Sequence, residues 1–374
     1  MPSNRAAWLT AKSARPLEVK SAPYTPPAPN EIVIKNGAIA INPIDWSKQF
    51  LGDMMFSYIK YPFVLGEDVA GEVVEVGKDV TRFVPGDRVL GHALGMEPKV
   101  NRSADGAFQE YTVLRTNMVS RIPATITYEQ ACVLPLCLST AACGLFQKDY
   151  LGLDLPVAQL KHRKPKGETL LVWGGSSSVG SNTIQLAAAA GYDVITTASP
   201  KNFSYVKGLG AVDVFDYHST NVIEDIIETL RKQERKPVGA VAIGNGSTEA
   251  CMEILAKSGG RKFIAQASFP WPEEMPSGLL GTAGTMLSLM WWNVSTPIKS
   301  KLKGIKMKFI FGTTLAFNEV SGAIYEEFLP EALAQQTFVP APEPMVVGKG
   351  LEHVQAALDL HMKGVSAKKV VVSL

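Results

Sequence analysis

The chain has 374 residues, enough for two domains of the usual roughly 100–200 residues each. Hydrophobic residues make up 46% and charged residues 19%, the composition of a globular protein with sizeable cores. Lys plus Arg number 37 against 35 Asp plus Glu, and a net charge of +2 argues against a nucleic-acid partner, which needs a basic face.

The opening run Met1-Pro2-Ser3-Asn4-Arg5 lacks the apolar core of a signal peptide. Residues 31–41, 69–76 and 88–91 read as strands rich in β-branched residues, with the turn Val84-Pro85-Gly86-Asp87 ahead of the third. Residues 129–147 read as one helix, with Thr127 as N-cap and Glu129 and Gln130 in its first turn. A Pro/Lys/Gly-rich connection covers 152–168. Strands and helices then alternate: strand 169–173, helix 178–190, strand 193–197, helix 202–209, strand 212–215, helix 222–233, strand 240–243, helix 248–256, strand 262–265 and strand 306–313. That alternation predicts a parallel sheet covered on both faces. The most apolar window, 278–292, is too short to span a bilayer, which takes ~20 residues, so no membrane partner is expected. After a Pro-rich bend at 339–344, a helix near 350–363 and a strand at 370–373 return to the first domain. Cys132, Cys137, Cys143 and Cys251 are too few and too clustered for a disulfide framework, and a reducing cytoplasm is the expected compartment.

The sharpest signal follows Thr169. An apolar strand runs into Gly174-Gly175-Ser176-Ser177-Ser178-Val179-Gly180 and on into a helix. Gly174 and Gly175 allow a tight turn and close approach of backbone to a pyrophosphate, and Gly180 lets the helix pack on the strand. The helix N-terminus offers N–H groups and a positive dipole end to phosphates. Ser176 stands where a strict G-x-G-x-x-G has its second glycine. An NAD enzyme places Asp or Glu at the end of the second strand to hold the ribose 2′-hydroxyl. Here the chain reads Thr197-Ala198-Ser199-Pro200-Lys201-Asn202, without an acid. A hydroxyl at Ser199, a charge at Lys201, a polar neighbour at Asn202 and the phenol of Tyr217 favour a 2′-phosphate, so the expected cofactor is NADPH.

Five further segments, with the Gly-rich loop, carry a family resemblance. They are Asn42-Pro43-Ile44-Asp45, Leu65-Gly66-Glu67-Asp68-Val69-Ala70-Gly71, Val84-Pro85-Gly86-Asp87-Arg88-Val89, Gly106-Ala107-Phe108-Gln109-Glu110-Tyr111, and Leu134-Pro135 with Ser139-Thr140. In order and spacing they resemble the medium-chain dehydrogenase/reductase superfamily, in its zinc-free quinone reductase and enoyl reductase branch. Ser199-Pro200-Lys201-Asn202-Phe203 and Val214-Phe215-Asp216-Tyr217 look like fungal enzymes of secondary metabolism, including trans-acting enoyl reductases. The resemblance implies an α/β protein: a Rossmann-type doubly wound parallel sheet at 136–317 plus a β-rich GroES-like catalytic domain at 1–135, completed by 318–374.

Zinc alcohol dehydrogenases of that superfamily hold their metal with a Cys, a His in G-H-E, and a Cys or Asp. Those places here read Asn42, Glu67 and Leu136-Cys137, and no metal is expected. Without a Lewis acid, a conjugated C=C–C=O system is easier to reduce than a simple ketone. The resemblance implies Ser139 and Thr140 as hydroxyls on the nicotinamide side, Thr140 also in catalysis. It implies Asn42, Asp45 and Lys48 beside the cofactor, with the Asn42 amide or the Lys48 ammonium acting on a developing enolate. The histidines, outside the matched segments, receive no role. Residues 279–292, with Met286, Met290, Trp291 and Trp292, suit a bulky apolar acceptor or ordinary packing. The expected activity is NADPH-dependent reduction of an enone, enoyl thioester or quinone-like acceptor, small and apolar, free or carrier-bound, by a monomer or homodimer. Carbonyl or quinone reduction, and a non-catalytic nucleotide-binding protein, stand as the alternatives.

Overall fold

The computed structural model describes residues 2–270 and 278–374, and the chain divides into two compact units. The first is Met1–Ser139 with Thr313–Leu374; the second is Thr140–Gly312. The sequence reading places these boundaries at 135/136 and 317/318.

In the first unit a seven-stranded sheet follows the spatial order Glu343–Lys349, Lys368–Ser373, Glu31–Ala40, Asp68–Val76, Arg88–His92 and Val119–Arg121, with Tyr111–Arg115 also pairing on Glu31–Ala40. The C-terminal strand Lys368–Ser373 runs antiparallel to Glu31–Ala40, with Val371 opposite Ala40. The last segment of chain is therefore an inner strand, inseparable from the first unit. A smaller sheet joins Glu18–Ala22, Asn4–Leu9 and Phe63–Val64. These short strands, and the helix Pro43–Leu51, escape the sequence reading because none carries a long periodic pattern.

The expected single helix over 129–147 is corrected to two, Tyr128–Ala131 and Pro135–Phe146. Pro135 lacks an N–H and suits the first turn of a new helix rather than the interior of a running one. Thr127 caps the first helix as expected. Its side chain accepts from the Gln130 N–H at 3.2 Å, and Gln130 Oε1 accepts from the Thr127 N–H at 3.0 Å. The stretch Tyr128–Phe146 is apolar and long enough to cross a membrane, but it is mostly buried inside the protein, which marks it as core.

The second unit is built on six parallel strands in the spatial order Ala211–Asp216, Asp193–Ala198, Thr169–Trp173, Pro237–Ala242, Phe263–Gln266 and Lys306–Phe309. The order reverses beside the first of these in sequence, Thr169–Trp173, where an open doubly wound sheet leaves a crevice at the strands' carboxyl ends. One face is sealed by the helices Val222–Lys232 and Ser247–Ser258. Ile226, Leu230, Cys251 and Ile254 pack there with Leu171, Ile195, Ala240 and Ile264 of the sheet. The last strand ends at Phe309, short of the expected 313. The apolar window 278–292 lies within one 25-residue helix, Gly278–Leu302. Met290 and Trp291 are exposed on it, and the Trp292 indole donates to Glu249 Oε1 at 2.8 Å. The Met286 side chain lies outside the described residues.

Candidate active site and cofactor loop

The Gly-rich loop leaves the carboxyl end of Thr169–Trp173. Gly174 takes φ +88°, a conformation that side chains resist, and a Cβ there would stand 2.6 Å from the Ile243 carbonyl oxygen. A Cβ on Gly175 would meet Thr196 Oγ1 at 2.2 Å, and one on Gly180 would meet the Gly174 carbonyl oxygen at 2.2 Å. Each glycine is thus required by a close approach inside the unit. Ser177 caps the following helix, accepting from the Gly180 N–H at 3.0 Å and donating to the Gly174 carbonyl at 2.7 Å. The first-turn N–H groups of Ser178 and Val179 remain at the head of the helix Ser178–Ala189, and Ser176 to Val179 are all partly exposed. Such a cradle of small residues at a helix N-terminus fits the pyrophosphate of a dinucleotide.

At the ends of the next two strands, Ser199 Oγ donates to Tyr217 Oη at 3.2 Å. Tyr217 is 41% exposed and lies against His218 with the two rings tilted by 36°. Lys201 is exposed, and among the described residues no carboxylate pairs with it. Asp216 turns its carboxylate to the His218 N–H at 3.0 Å. Asn202 is buried at the end of the 3₁₀ turn Pro200–Asn202. The strand ends therefore bring Ser199 and Tyr217 together, with Lys201 exposed two residues along the chain from Ser199.

In the first unit the N-P-x-D segment forms a helix start. Asn42 is the N-cap of Pro43–Leu51, Pro43 fills the first helical position, and Asp45 accepts from the Asn42 N–H at 2.8 Å. The other Asp45 oxygen is buried without a partner. Burial first, then the neighbouring carboxylates Glu67 and Asp68, push the Asp45 pKa well above the usual range.

Asn42 Nδ2 donates to Asp68 Oδ2 at 2.8 Å, and its Oδ1 accepts a short hydrogen bond from Lys369 Nζ. The same ammonium lies 2.9 Å from Asp68 Oδ2 and 3.5 Å from Cys137 Sγ. Asp68 Oδ1 accepts from the Leu136 N–H at 2.6 Å, at the start of the helix that carries Ser139 and Thr140. Lys369 is 2% exposed, and Asn42 and Asp68 are wholly buried. Burial works to lower the Lys369 pKa, but Asp68 above all, with Cys137 and Asp45, holds it above the ordinary lysine value.

Lys48 is fully buried too. Its ammonium donates to the carbonyls of Gly52 at 3.0 Å, Met55 at 2.8 Å and Phe56 at 3.3 Å. Burial, the largest influence, pulls its pKa below the ordinary value. With its three donors directed to main chain, Lys48 clamps the loop 52–56. The Asn42 amide is likewise engaged at both ends. In this geometry the Lys48 ammonium and both ends of the Asn42 amide are engaged within the first unit.

A second buried chain runs beside the first. Glu67 Oε2 lies 3.3 Å from His92 Nε2, His92 Nδ1 lies 2.9 Å from Ser139 Oγ, and Ser139 Oγ lies 2.8 Å from Tyr325 Oη. Tyr325 Oη in turn donates to the Pro135 carbonyl at 2.9 Å. The sequence reading assigns His92 no role and does not single out Tyr325 or Lys369. Thr140 belongs to the second unit, where its Oγ1 would stand 2.7 Å from a Cβ on Gly312.

A catalytic zinc needs three good nitrogen, sulfur or oxygen donors and an open position. The point on which Asn42 Oδ1, Asp68 and Cys137 converge is filled by the Lys369 ammonium, and Glu67 is turned to His92. Among the described residues no three His, Cys, Asp or Glu side chains are grouped to hold a metal ion. The residues present do not fit zinc.

Comparison with known proteins agrees with this architecture. The family described as "Alcohol dehydrogenase GroES-like domain" matches residues 28–124. The dehydrogenase pigH of Monascus ruber is 57% identical over 374 residues, covering all of both chains. The trans-enoyl reductase himH of Aspergillus japonicus is 36% identical, covering 99% of this chain and 97% of its own. Among solved structures, a mycobacterial protein complexed with NADPH superposes with a TM-score of 0.67 at 21% identity, covering 100% of both chains.

Proposed function

This chain belongs to the medium-chain dehydrogenase/reductase superfamily and is an oxidoreductase of that group, and we propose that it reduces an activated carbon–carbon double bond with NADPH. The observation that carries the reaction type is the lysine at the heart of the first unit's polar cluster. The donor set of Asn42, Asp68 and Cys137 is satisfied by an ammonium, so the residues there polarise no substrate oxygen through a metal. An acceptor that delocalises its own developing charge, such as an enone or enoyl thioester, suits such a site. The 36% identical relative named a trans-enoyl reductase supports the same class.

The second unit's residues hold the nucleotide. The Gly174–Gly180 loop and the N–H groups of Ser178 and Val179 receive the pyrophosphate, and Ser199, Lys201 and Tyr217 receive the 2′-phosphate. Bound NADPH supplies the hydride. In the first unit Asn42, Asp45 and Lys48 fix the helix Pro43–Leu51 and its loop, while Glu67, His92 and Tyr325 orient the Ser139 hydroxyl beside Thr140 in sequence. The acceptor is a small apolar unsaturated molecule, free or carrier-bound, met in the cytoplasm.

The test is product analysis. Purified protein with NADPH and a panel of α,β-unsaturated ketones and thioesters is expected to give the saturated carbonyl compound. An allylic alcohol, with the double bond intact, makes the protein a carbonyl reductase instead. No turnover with any acceptor, despite tight NADPH binding, leaves the non-catalytic reading.

A further inference from the structure

The buried chain from Glu67 to Tyr325 has a direction, because it ends on a carbonyl, which has no proton to give. Tyr325 Oη donates to the Pro135 carbonyl at 2.9 Å and spends its one hydrogen there. At 2.8 Å from Ser139 Oγ, the phenol oxygen is left to accept, so the Ser139 hydroxyl donates to it. Ser139 Oγ, its own hydrogen spent, accepts in turn from His92 Nδ1 at 2.9 Å, and that nitrogen therefore carries a proton. The far nitrogen, Nε2, lies 3.3 Å from Glu67 Oε2. A hydrogen bond there needs one more proton, held by either Glu67 or His92. All four side chains are at most 2% exposed. Every hydrogen in the chain thus points away from Glu67, and the Glu67–His92 pair holds one proton more than its hydrogen bond to Ser139 uses.

Reduction of a double bond conjugated to a carbonyl consumes one hydride and one proton. We infer that Glu67 and His92 store that proton and pass it to the acceptor through the Ser139 hydroxyl. The inference rests on the reaction proposed above and on the place of Ser139 on the nicotinamide side. As the hydride bonds to the β-carbon, the π electron pair moves onto the α-carbon and its carbonyl. The Ser139 O–H bond then breaks and a C–H bond forms at the α-carbon. Ser139 Oγ takes the proton from His92 Nδ1, and Nε2 takes or keeps the proton shared with Glu67. The pair ends as a Glu67 carboxylate and a neutral His92 protonated on Nε2, and water returns one proton once product has left. Tyr325 and the Pro135 carbonyl take no proton and only aim the chain. Tyr325 lies in the π-helical stretch Ala323–Phe328, a widened turn of a kind frequent at functional sites. Glu67, His92 and Tyr325 reach the acceptor only through Ser139, and they are positioning residues for its proton.

Two measurements on the full chain test this. Nitrogen-15 NMR of the histidine rings, with His92 assigned by its loss in His92→Gln, is expected to show a proton on His92 Nδ1 in the intact chain. The same is expected in Glu67→Gln, where an amide N–H can donate to Nε2 but has no proton to pass on. Steady-state kinetics with NADPH and an enone are expected to show kcat about 100-fold lower in Glu67→Gln, the low end of what a positioned acid contributes, with KM and the Kd for NADPH unchanged. Tyr325→Phe, which loosens the aim but leaves the stored proton, is expected to lose less of kcat. A kept Nδ1 proton with a lost kcat is a split that a merely structural Glu67 does not produce. His92 protonated on Nε2 alone in the intact chain, or kcat unchanged in Glu67→Gln, overturns the inference while the reaction stands. No turnover of any enone by the intact chain overturns the proposed reaction, and the proton path with it.

Discussion

Lys201→Ala probes the proposed 2′-phosphate site, where NADPH and NADH are expected to differ. Lys201 is exposed, so its attraction for a phosphate acts through a water-like dielectric. Two unit charges 4 Å apart in such a medium attract by about 1 kcal/mol, and a phosphate near charge −2 roughly doubles that. The loss expected in NADPH binding is therefore about 1–2 kcal/mol, or roughly 5- to 30-fold in Kd. NADH lacks the 2′-phosphate and is expected to bind Lys201→Ala and the intact chain equally well. Calorimetric titration of both nucleotides reads this directly. Raising ionic strength from about 0.1 to 1 M shortens the Debye length from about 10 to 3 Å, so the gap between intact chain and variant should shrink. Ser199→Ala, which also breaks the 3.2 Å contact with Tyr217, is expected to remove a hydrogen bond to the charged phosphate, a loss of about 1.5–3 kcal/mol. An equal loss for NADH, or no loss for NADPH, refutes the phosphate assignment.

Other variants test other parts of the account. Asp68→Ala leaves the Lys369 ammonium buried without its carboxylate and frees the Asn42 amide and the Leu136 N–H; chemical denaturation is expected to show a loss of about 3–5 kcal/mol, and a loss under about 1 kcal/mol contradicts the buried pairing. Gly180→Ala drives a Cβ to 2.2 Å from the Gly174 carbonyl oxygen and so distorts the loop; at about 1–3 kcal/mol of overpacking, binding of either nucleotide should weaken roughly tenfold or more by fluorescence titration. His361 accepts from the Trp46 indole at 3.0 Å, and burial, with a lesser contribution from Lys369, pulls its pKa down to about 3. The unfolded chain takes up that proton first, so stability falls as pH drops from about 6.5 toward 3, by at most about 1.4 kcal/mol per pH unit, and His361→Gln should flatten this part of a stability–pH curve.

Much of the second unit was legible because its signals are local. Thr169–Trp173 is an unbroken apolar run ending in glycine, and the strand-to-helix alternation repeats with little interruption through Phe263–Gln266. Thr127 and Gln130 announced a helix start by their spacing alone. Pro135 was equally visible, but the surrounding apolar pattern, continuous from 131 to 146, overrode its meaning as a new first turn. The polar cluster of the first unit was harder to see, because its members meet only through the fold. Asn42 and Asp68 are 26 residues apart, and Lys369 follows Asn42 by 327. One signal for Lys369 was present. Lys368 and Lys369 open an apolar strand, successive side chains on a strand point to opposite faces, and so one of the two had to turn inward. Lys368 pairs with Glu343 at the surface, and Lys369 is the one that goes in. His92 was unreadable for a related reason: its partners Glu67, Ser139 and, through Ser139, Tyr325 come from three separate segments.

The central claim is hydride delivery to carbon in a conjugated acceptor, and isotope tracing addresses it most directly. NADPH carrying deuterium at the transferable C4 position is incubated with the protein and an enone, and the product is examined by NMR. The account predicts deuterium at the β-carbon of a saturated ketone, with the carbonyl intact. Deuterium on the carbinol carbon of an allylic alcohol contradicts it.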